Sequence, residues 1–84
     1  MGDILDRIEW FKTIILPHEG ALRARLRRSR QNPQDIDDIV SEVFVRAYSN
    51  PRWRDIDRGR SYLFTIARNY LIDKFRREKI VSLD

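Results

Sequence analysis

Apolar side chains recur along this chain at three- and four-residue steps and nowhere alternate with polar ones, which predicts helices and no strands. The first run sets Ile4, Ile8, Phe11 and Ile15 at the helical period with Leu5 beside them, and Asp3 stands where a cap would. Pro17 ends that run or opens the next, because it lacks the amide a helix interior uses yet fits a first helical position. A second helix is expected from His18 to about Ser29, with Leu22 and Leu26 on one face and Gly20 weakening its first turn. Gln31-Asn32-Pro33 reads as a polar connection.

The third helix has the clearest stripe: Ile36, Ile39, Val40, Val43, Phe44, Ala47 and Tyr48. Asp35 is its expected cap, Asp37 and Asp38 suit the positive end of its dipole, and Asn50-Pro51 stops it. Residues 49–60 form the one long connection, dense in Arg and Asp, with Trp53 and Ile56 embedded and Gly59 as a flexible point. A fourth helix is expected from a cap at Ser61 to about Arg77, apolar at Leu63, Ile66, Ala67, Tyr70, Leu71 and Phe75, with Val81 to Asp84 as a frayed end or the start of a linker. The predicted fold class is all-α, a compact bundle of three to four helices.

Length and charge narrow this picture. With 84 residues the chain is one domain at most, and a fold this small buries only about 60% of its unfolded surface, so its helices must share one core closely. The net charge of +4 is unevenly laid out. Five arginines fall between Arg23 and Arg30; four acids against Arg46 leave Asp35–Tyr48 at −3; and six bases against Asp73 and Glu78 leave Arg60–Lys79 at +4. A single basic surface would suffice for simple electrostatic binding, so the basic, acidic, basic order points to at least two partner surfaces.

Catalysis finds little support. No cysteine is present, which excludes disulfides and thiolate metal sites, and His18 is the only histidine, so no metal site and no cofactor is expected. The three glycines are isolated, so no phosphate-cradling loop exists. The carboxylates of Asp35, Asp37, Asp38 and Glu42 make either a solvated helix face or a protein-binding one. Arg23–Arg30 surrounds the Leu22/Leu26 face and suits a solvated surface, a protein contact or phosphates. Trp53 between Arg52 and Arg54 either plugs the core or stacks on an unpaired base, while the polar residues around it suit nucleic acid. On the fourth helix the face away from the core carries Thr65, Arg68, Asn69, Ile72, Asp73 and Arg76. The longest apolar run is Ile14-Ile15-Leu16, and Asp3, Asp6 and Glu9 replace the basic start of a secretory signal; no membrane insertion and a cytoplasmic location are therefore expected.

DIDDIVSEVFVRAYSN (35–50), followed after a short spacer by SYLFTIARNYLIDKFRRE (61–78), resembles region 2 of the extracytoplasmic-function (ECF) sigma factors of the sigma-70 family, and LPHEGALRARLRRS (16–29) looks like their preceding helix. The resemblance covers roughly residues 10 to 79. It implies a noncatalytic helical bundle that binds two partners. The third helix would dock on the β′ clamp helices of core RNA polymerase through Asp38, Ser41, Glu42, Val45, Arg46 and Ser49. The loop and helix after it would capture the non-template strand of the promoter −10 element, with one base extruded into a pocket. Asn50, Trp53, Arg54, Arg58, Arg60, Tyr62, Arg68, Asn69, Lys74 and Arg77 are the implied DNA contacts. Of these, Arg58, Arg60, Lys74 and Arg77 suit phosphates. An anti-sigma factor is a third partner that the family allows. The reading makes residues 1–84 a single region 2 domain, with the family's second, −35-reading domain absent from this chain. Two rival readings stay open: a regulator that reads duplex DNA through one helix, and a protein-interaction module whose basic faces are merely solvated.

Overall fold

The computed structural model describes residues 2–29 and 31–83, and for 79–83 the backbone alone; Arg30, Asp84 and the side chain of Lys79 lie outside the described residues. Every regular element among the described residues is helical, as the periodicity predicts: α1 (Gly2–Trp10), α2 (Glu19–Arg28), α3 (Pro33–Tyr48) and α4 (Gly59–Leu83). A π-turn over Phe11–Ile15 and a 3₁₀ turn over Leu16–His18 carry the chain from α1 to α2, and a second 3₁₀ turn, Trp53–Asp55, lies within the α3–α4 connection.

The core forms where α3 packs against α2 on one side and α4 on the other. Ile36, Ile39, Val40, Val43 and Ala47 of α3 are buried against Leu22 and Leu26 of α2 and Leu63 and Ala67 of α4, and no polar or charged residue is buried with them among the described residues. Here the sequence stripe is the structural stripe, because α3 is enclosed along its length and one face must be apolar throughout. Phe44 and Tyr48 flank it half-buried and receive the Phe11 ring edge-on, at centroid distances of 5.5 and 5.7 Å.

The first helix departs from its predicted face. Ile4, Leu5 and Ile8 point outward, with Leu5 66% exposed, while Trp10 and Ile15 are buried. The π-turn is the physical reason: the Leu16 N–H reaches back five residues to the Phe11 carbonyl, so the turn takes up an extra residue and rotates the next stretch of chain away from the register of Ile4 and Ile8. The groups that face inward from α1 are instead amphipathic. Trp10 stacks tilted on Trp53 at 5.7 Å and donates its indole N–H to the Ile56 carbonyl at 2.9 Å. Arg7 lies over the Tyr48 ring at 4.8 Å and donates to the Asn50 carbonyl at 3.0 Å, while its Nε is buried without a partner.

Three expected caps are also displaced. Asp3 lies inside the first turn of α1 and pairs with Arg54 at 2.6 Å. Asn32 takes the cap position of α3, with Pro33 at the first helical position, so Asp35 sits in the first turn, 4.0 Å from Lys74. The fourth helix starts at Gly59, two residues before Ser61, and runs to Leu83 rather than stopping near Arg77. Phe75, expected on its buried face, is 65% exposed, one turn beyond the reach of the core. Gly59 is no flexible point: it is buried, and a Cβ there would overlap the Ile14 carbonyl. Its missing side chain is what lets the start of α4 close on the π-turn.

Two stability measurements check this packing. Gly59→Ala must push α4 off Ile14, and we expect a loss of about 1–3 kcal/mol in urea unfolding. Leu63→Ala should cost about 2–5 kcal/mol, whereas Leu5→Ala should stay within about 0.5 kcal/mol of the parent; equal costs for these two would mean that α1 buries its aliphatic face after all.

Candidate functional site

Two outward surfaces meet at the end of α3. The first is the face of α3 that points away from α2 and α4. Asp38, Ser41 and Val45 are exposed on it, Val45 at 60%, and none of the three makes a side-chain hydrogen bond or ion pair among the described residues. The other expected members are more occupied. Glu42 and Arg46 pair with each other at 3.2 Å, and the Arg46 guanidinium also stacks on Tyr70 of α4 at 5.0 Å. Ser49 donates its hydroxyl to the Val45 carbonyl at 2.7 Å, closing the last turn. The free part of this surface is therefore a short strip, apolar at Val45 and acidic at Asp38.

The second surface is the 49–60 connection with the outer side of α4. Asn50 is the hub of the connection. Its amide nitrogen donates to the Tyr62 hydroxyl at 3.0 Å, its side-chain oxygen accepts from the Arg52 N–H at 2.8 Å, and its carbonyl accepts from Arg7 and from the Trp53 N–H. This is an Asx-type turn, in which a short amide side chain replaces the backbone bonds that a loop lacks. Trp53 resolves the two readings open from sequence: it is buried on Trp10 and plugs the core, so its ring faces are not free for a base. Arg54 is drawn the same way, covering the Trp53 ring at 4.4 Å and pairing with Asp3 and, more loosely, Asp6.

The groups that remain outward are fewer than the sequence implies. Arg58, Arg60, Arg68, Asn69 and Arg77 are exposed, and these four arginines form no ion pair among the described residues. Arg60 lies 5.0 Å from the Phe64 ring. Lys74 is different, since Asp35 at 4.0 Å and Glu78 at 3.9 Å already share its charge. Two hollows open on either side of Tyr62. One of about 310 Å³ is lined by Asn50, Tyr62, Ile66 and Asn69 among others, and one of about 350 Å³ by Ile56, Asp57, Arg58 and Thr65. Tyr62 is their common wall, held by the Asn50 amide and by a 3.5 Å contact from its hydroxyl to the Ala47 carbonyl.

Electrostatics elsewhere serve the fold. Arg23 joins α2 to α3, bonding Asp37 at 2.6 Å and Glu19 at 2.9 Å, and these hydrogen bonds, that to Asp37 foremost, raise its pKa above the ordinary arginine value. No group of three or more histidines, aspartates or glutamates gathers as a metal site among the described residues. Nor does any helix among them have the length and apolarity to cross a membrane. Sequence reasoning overlooked Arg7, whose role as the anchor of the connection depends on a partner 43 residues away and left no local signal.

The profile of sigma-70 region 2 matches residues 14–80. The chain is 34% identical over 70 residues to the ferric citrate uptake sigma factor FecI of Escherichia coli (strain K12), covering 83% of this chain and 40% of that protein. It is 43% identical over 49 residues to the ECF RNA polymerase sigma factor SigW of Bacillus subtilis (strain 168), covering 57% of this chain and 26% of that one. The chain thus spans less than half the length of either relative. No solved structure matches it significantly. With the profile covering most of the bundle, and both surfaces carried on the segments it matches, the chain belongs to the sigma-70 region 2 family and to its ECF group.

Proposed function

We propose that the chain is the part of a bacterial alternative sigma factor that binds core RNA polymerase and captures the promoter −10 element as single-stranded DNA. Sigma factors are not enzymes, and family membership supports the noncatalytic reading. The observation that carries the proposal is the segregation of free groups. The α3 strip at Asp38, Ser41 and Val45 is unpartnered and mildly acidic, while Arg58, Arg60, Arg68 and Arg77 leave the connection and α4 with uncompensated positive charge. One protein partner and one polyanion account for both.

The polymerase contact is assigned to the α3 face, with the β′ clamp helices as its partner. Val45 supplies the apolar centre, Asp38 and Ser41 the rim, and the Glu42–Arg46 pair and Ser49 the flank. Rim charges of this kind steer and orient docking more than they set its strength. On the DNA side, Arg58, Arg60 and Arg77 touch phosphates, with Lys74 a weaker contributor because it is already paired. The hollow beside Tyr62 and Asn69 takes the extruded base; unstacking costs a few kcal/mol, which edge hydrogen bonds and stacking recover. Arg68 lies on the path of the strand. Asn50, Trp53 and Arg54 act as positioning residues, holding Tyr62 and the connection rather than touching the strand. An anti-sigma protein covering either face would block both activities, and the reading places the work of the domain in the cytoplasm.

Binding measurements test the two halves separately. Val45→Glu puts a charge at an exposed position without disturbing the core, and we expect it to weaken binding to core polymerase by at least about tenfold; parent-like affinity would remove α3 from the interface. For the DNA half, the polymerase complex is titrated with −10-like and scrambled single strands over a range of salt. Arg58→Ala with Arg60→Ala should reduce the slope of log K against log salt by about 0.7 per lost phosphate contact, whereas Asn69→Ala should erase the sequence preference and leave the slope unchanged. Equally tight binding of duplex without polymerase would favour the duplex-reading regulator instead.

A further inference from the structure

A groove runs between α2 and α4, apart from the α3 strip and separated by Thr65 from the hollow that holds Arg58. Its hollow of about 420 Å³ takes its apolar surface from Phe64, Leu71 and Ile72, above Leu22, Leu26 and Ala67, which are buried in the core. Its lining includes Arg25 on the α2 side and Arg68 on the α4 side, and no carboxylate. The Arg25 guanidinium lies 5.8 Å from the Phe64 ring that Arg60 also approaches, so the mouth of the groove gathers positive charge around an aromatic. None of Arg25, Arg60 and Arg68 forms an ion pair among the described residues, whereas Arg23, on the same helix as Arg25, holds two carboxylates. The chain thus has acids enough to neutralise α2, yet sets none along this groove.

We infer that the α2–α4 groove docks a short amphipathic helix of a partner protein, with its apolar side on Phe64, Leu71 and Ile72 and its carboxylates against Arg25 and Arg68. The dimensions favour this occupant. Leu22 to Ser29 on one wall and Phe64 to Ile72 on the other each span about 10–12 Å of helix, two turns, which is the length covered by anchors at i, i+3, i+4 and i+7. The exposed Phe75 extends the apolar track by a further turn along α4. A nucleic-acid strand would match the arginines but gain nothing from a floor that offers no hydrogen bond. An uncharged apolar helix would cover the floor but leave the guanidiniums uncompensated beside it. Charge and apolarity together select an acidic amphipathic segment. Arg68 also belongs to the strand-contacting set proposed above, so an occupied groove and a bound strand compete for it, although the groove itself does not depend on that reading.

The test uses the 84-residue chain, isotopically labelled, and a 14-residue helical peptide with leucines at i, i+3, i+4 and i+7 flanked by glutamates. A twin peptide carries lysine for each glutamate. We expect amide shifts centred on residues 22–29 and 64–72, affinity lowered at least about tenfold by Arg25→Glu and by Ile72→Glu, unchanged binding in Leu5→Glu, and no binding of the lysine twin. Arg25 is exposed, so its variant carries the test even where circular dichroism shows Ile72→Glu to have lost helix. Shifts confined to α1 or α3, equal binding of the lysine twin, or indifference to Arg25→Glu would overturn the proposal. So would a chain that sediments as a dimer and is dissociated by Arg25→Glu, since the occupant would then be a second copy. A single-stranded oligonucleotide giving the same shifts, lost in the Ile72→Glu variant, would overturn it in favour of nucleic acid. None of these outcomes depends on polymerase, so failure here leaves the α3 reading standing.

Discussion

The clasp of α1 on the α3–α4 connection governs how this small domain presents its surfaces. A connection running from Ser49 to Arg58 with a single short turn of 3₁₀ helix has few backbone bonds of its own, and ordering it is costly in entropy. Trp10 meets that cost by stacking on Trp53 and bonding the Ile56 carbonyl, and Arg7 by bonding the Asn50 carbonyl. Each contact spans more than 40 residues of sequence. The result is a connection fixed against the bundle from below, with Tyr62 positioned by Asn50 and the arginines of α4 turned outward. The buried, unpartnered Arg7 Nε shows that the arrangement is not free of cost, since a charged group has been withdrawn from water with only part of its hydrogen bonding replaced.

The arginines divide into two populations. Arg7, Arg23, Arg46 and Arg54 hold elements together: α1 to the connection, α2 to α3, α3 to α4, and the connection back to α1. Arg25, Arg58, Arg60, Arg68 and Arg77 have no carboxylate among the described residues and supply the outward positive potential. A surface ion pair contributes little stability by itself, so the first group matters chiefly through orientation. Arg23, for example, fixes the crossing of two helices whose shared core does the stabilising. The second group leaves the outward surface basic along the α2–α4 groove and along the outer face of α4, with Arg60 and Arg68 bordering both.

The α3 stripe, the Leu22/Leu26 pair and the polar outer face of α4 were legible in the sequence, because each belongs to a regular helix with one continuous environment along its length. The inward face of α1 was not. Its Ile4–Ile8–Phe11–Ile15 pattern presumes an unbroken α-helix, and one π-turn between Phe11 and Ile15 separates the two halves. The caps failed for a related reason. Asp3, Asp35 and Ser61 are all good capping residues, but Pro33 and Gly59 set where α3 and α4 begin, one by its fixed backbone angle and the other by the close approach to Ile14. The expected binding residues also divided. Asp38, Ser41, Val45, Arg60, Arg68 and Arg77 on the helices and Arg58 on the connection stayed free of ion pairs, whereas Glu42, Arg46 and Lys74 were paired and Asn50, Trp53 and Arg54 were drawn into contacts with distant residues.

By itself the sequence determined an all-α bundle without the ligands for a thiolate or histidine-rich metal site, its core stripe, its basic–acidic–basic order and, through two motifs at fixed spacing, its family. These are properties of local periodicity and residue type, and they hold whatever the crossing angles of the helices. Only the tertiary structure decided which of seventeen lysines and arginines remain free, that Trp53 is buried while Leu5 is not, and that α2 and α4 leave a groove between them. Each of those outcomes depends on which distant surface arrives opposite a given side chain, and that is settled by packing, which a one-dimensional pattern does not encode.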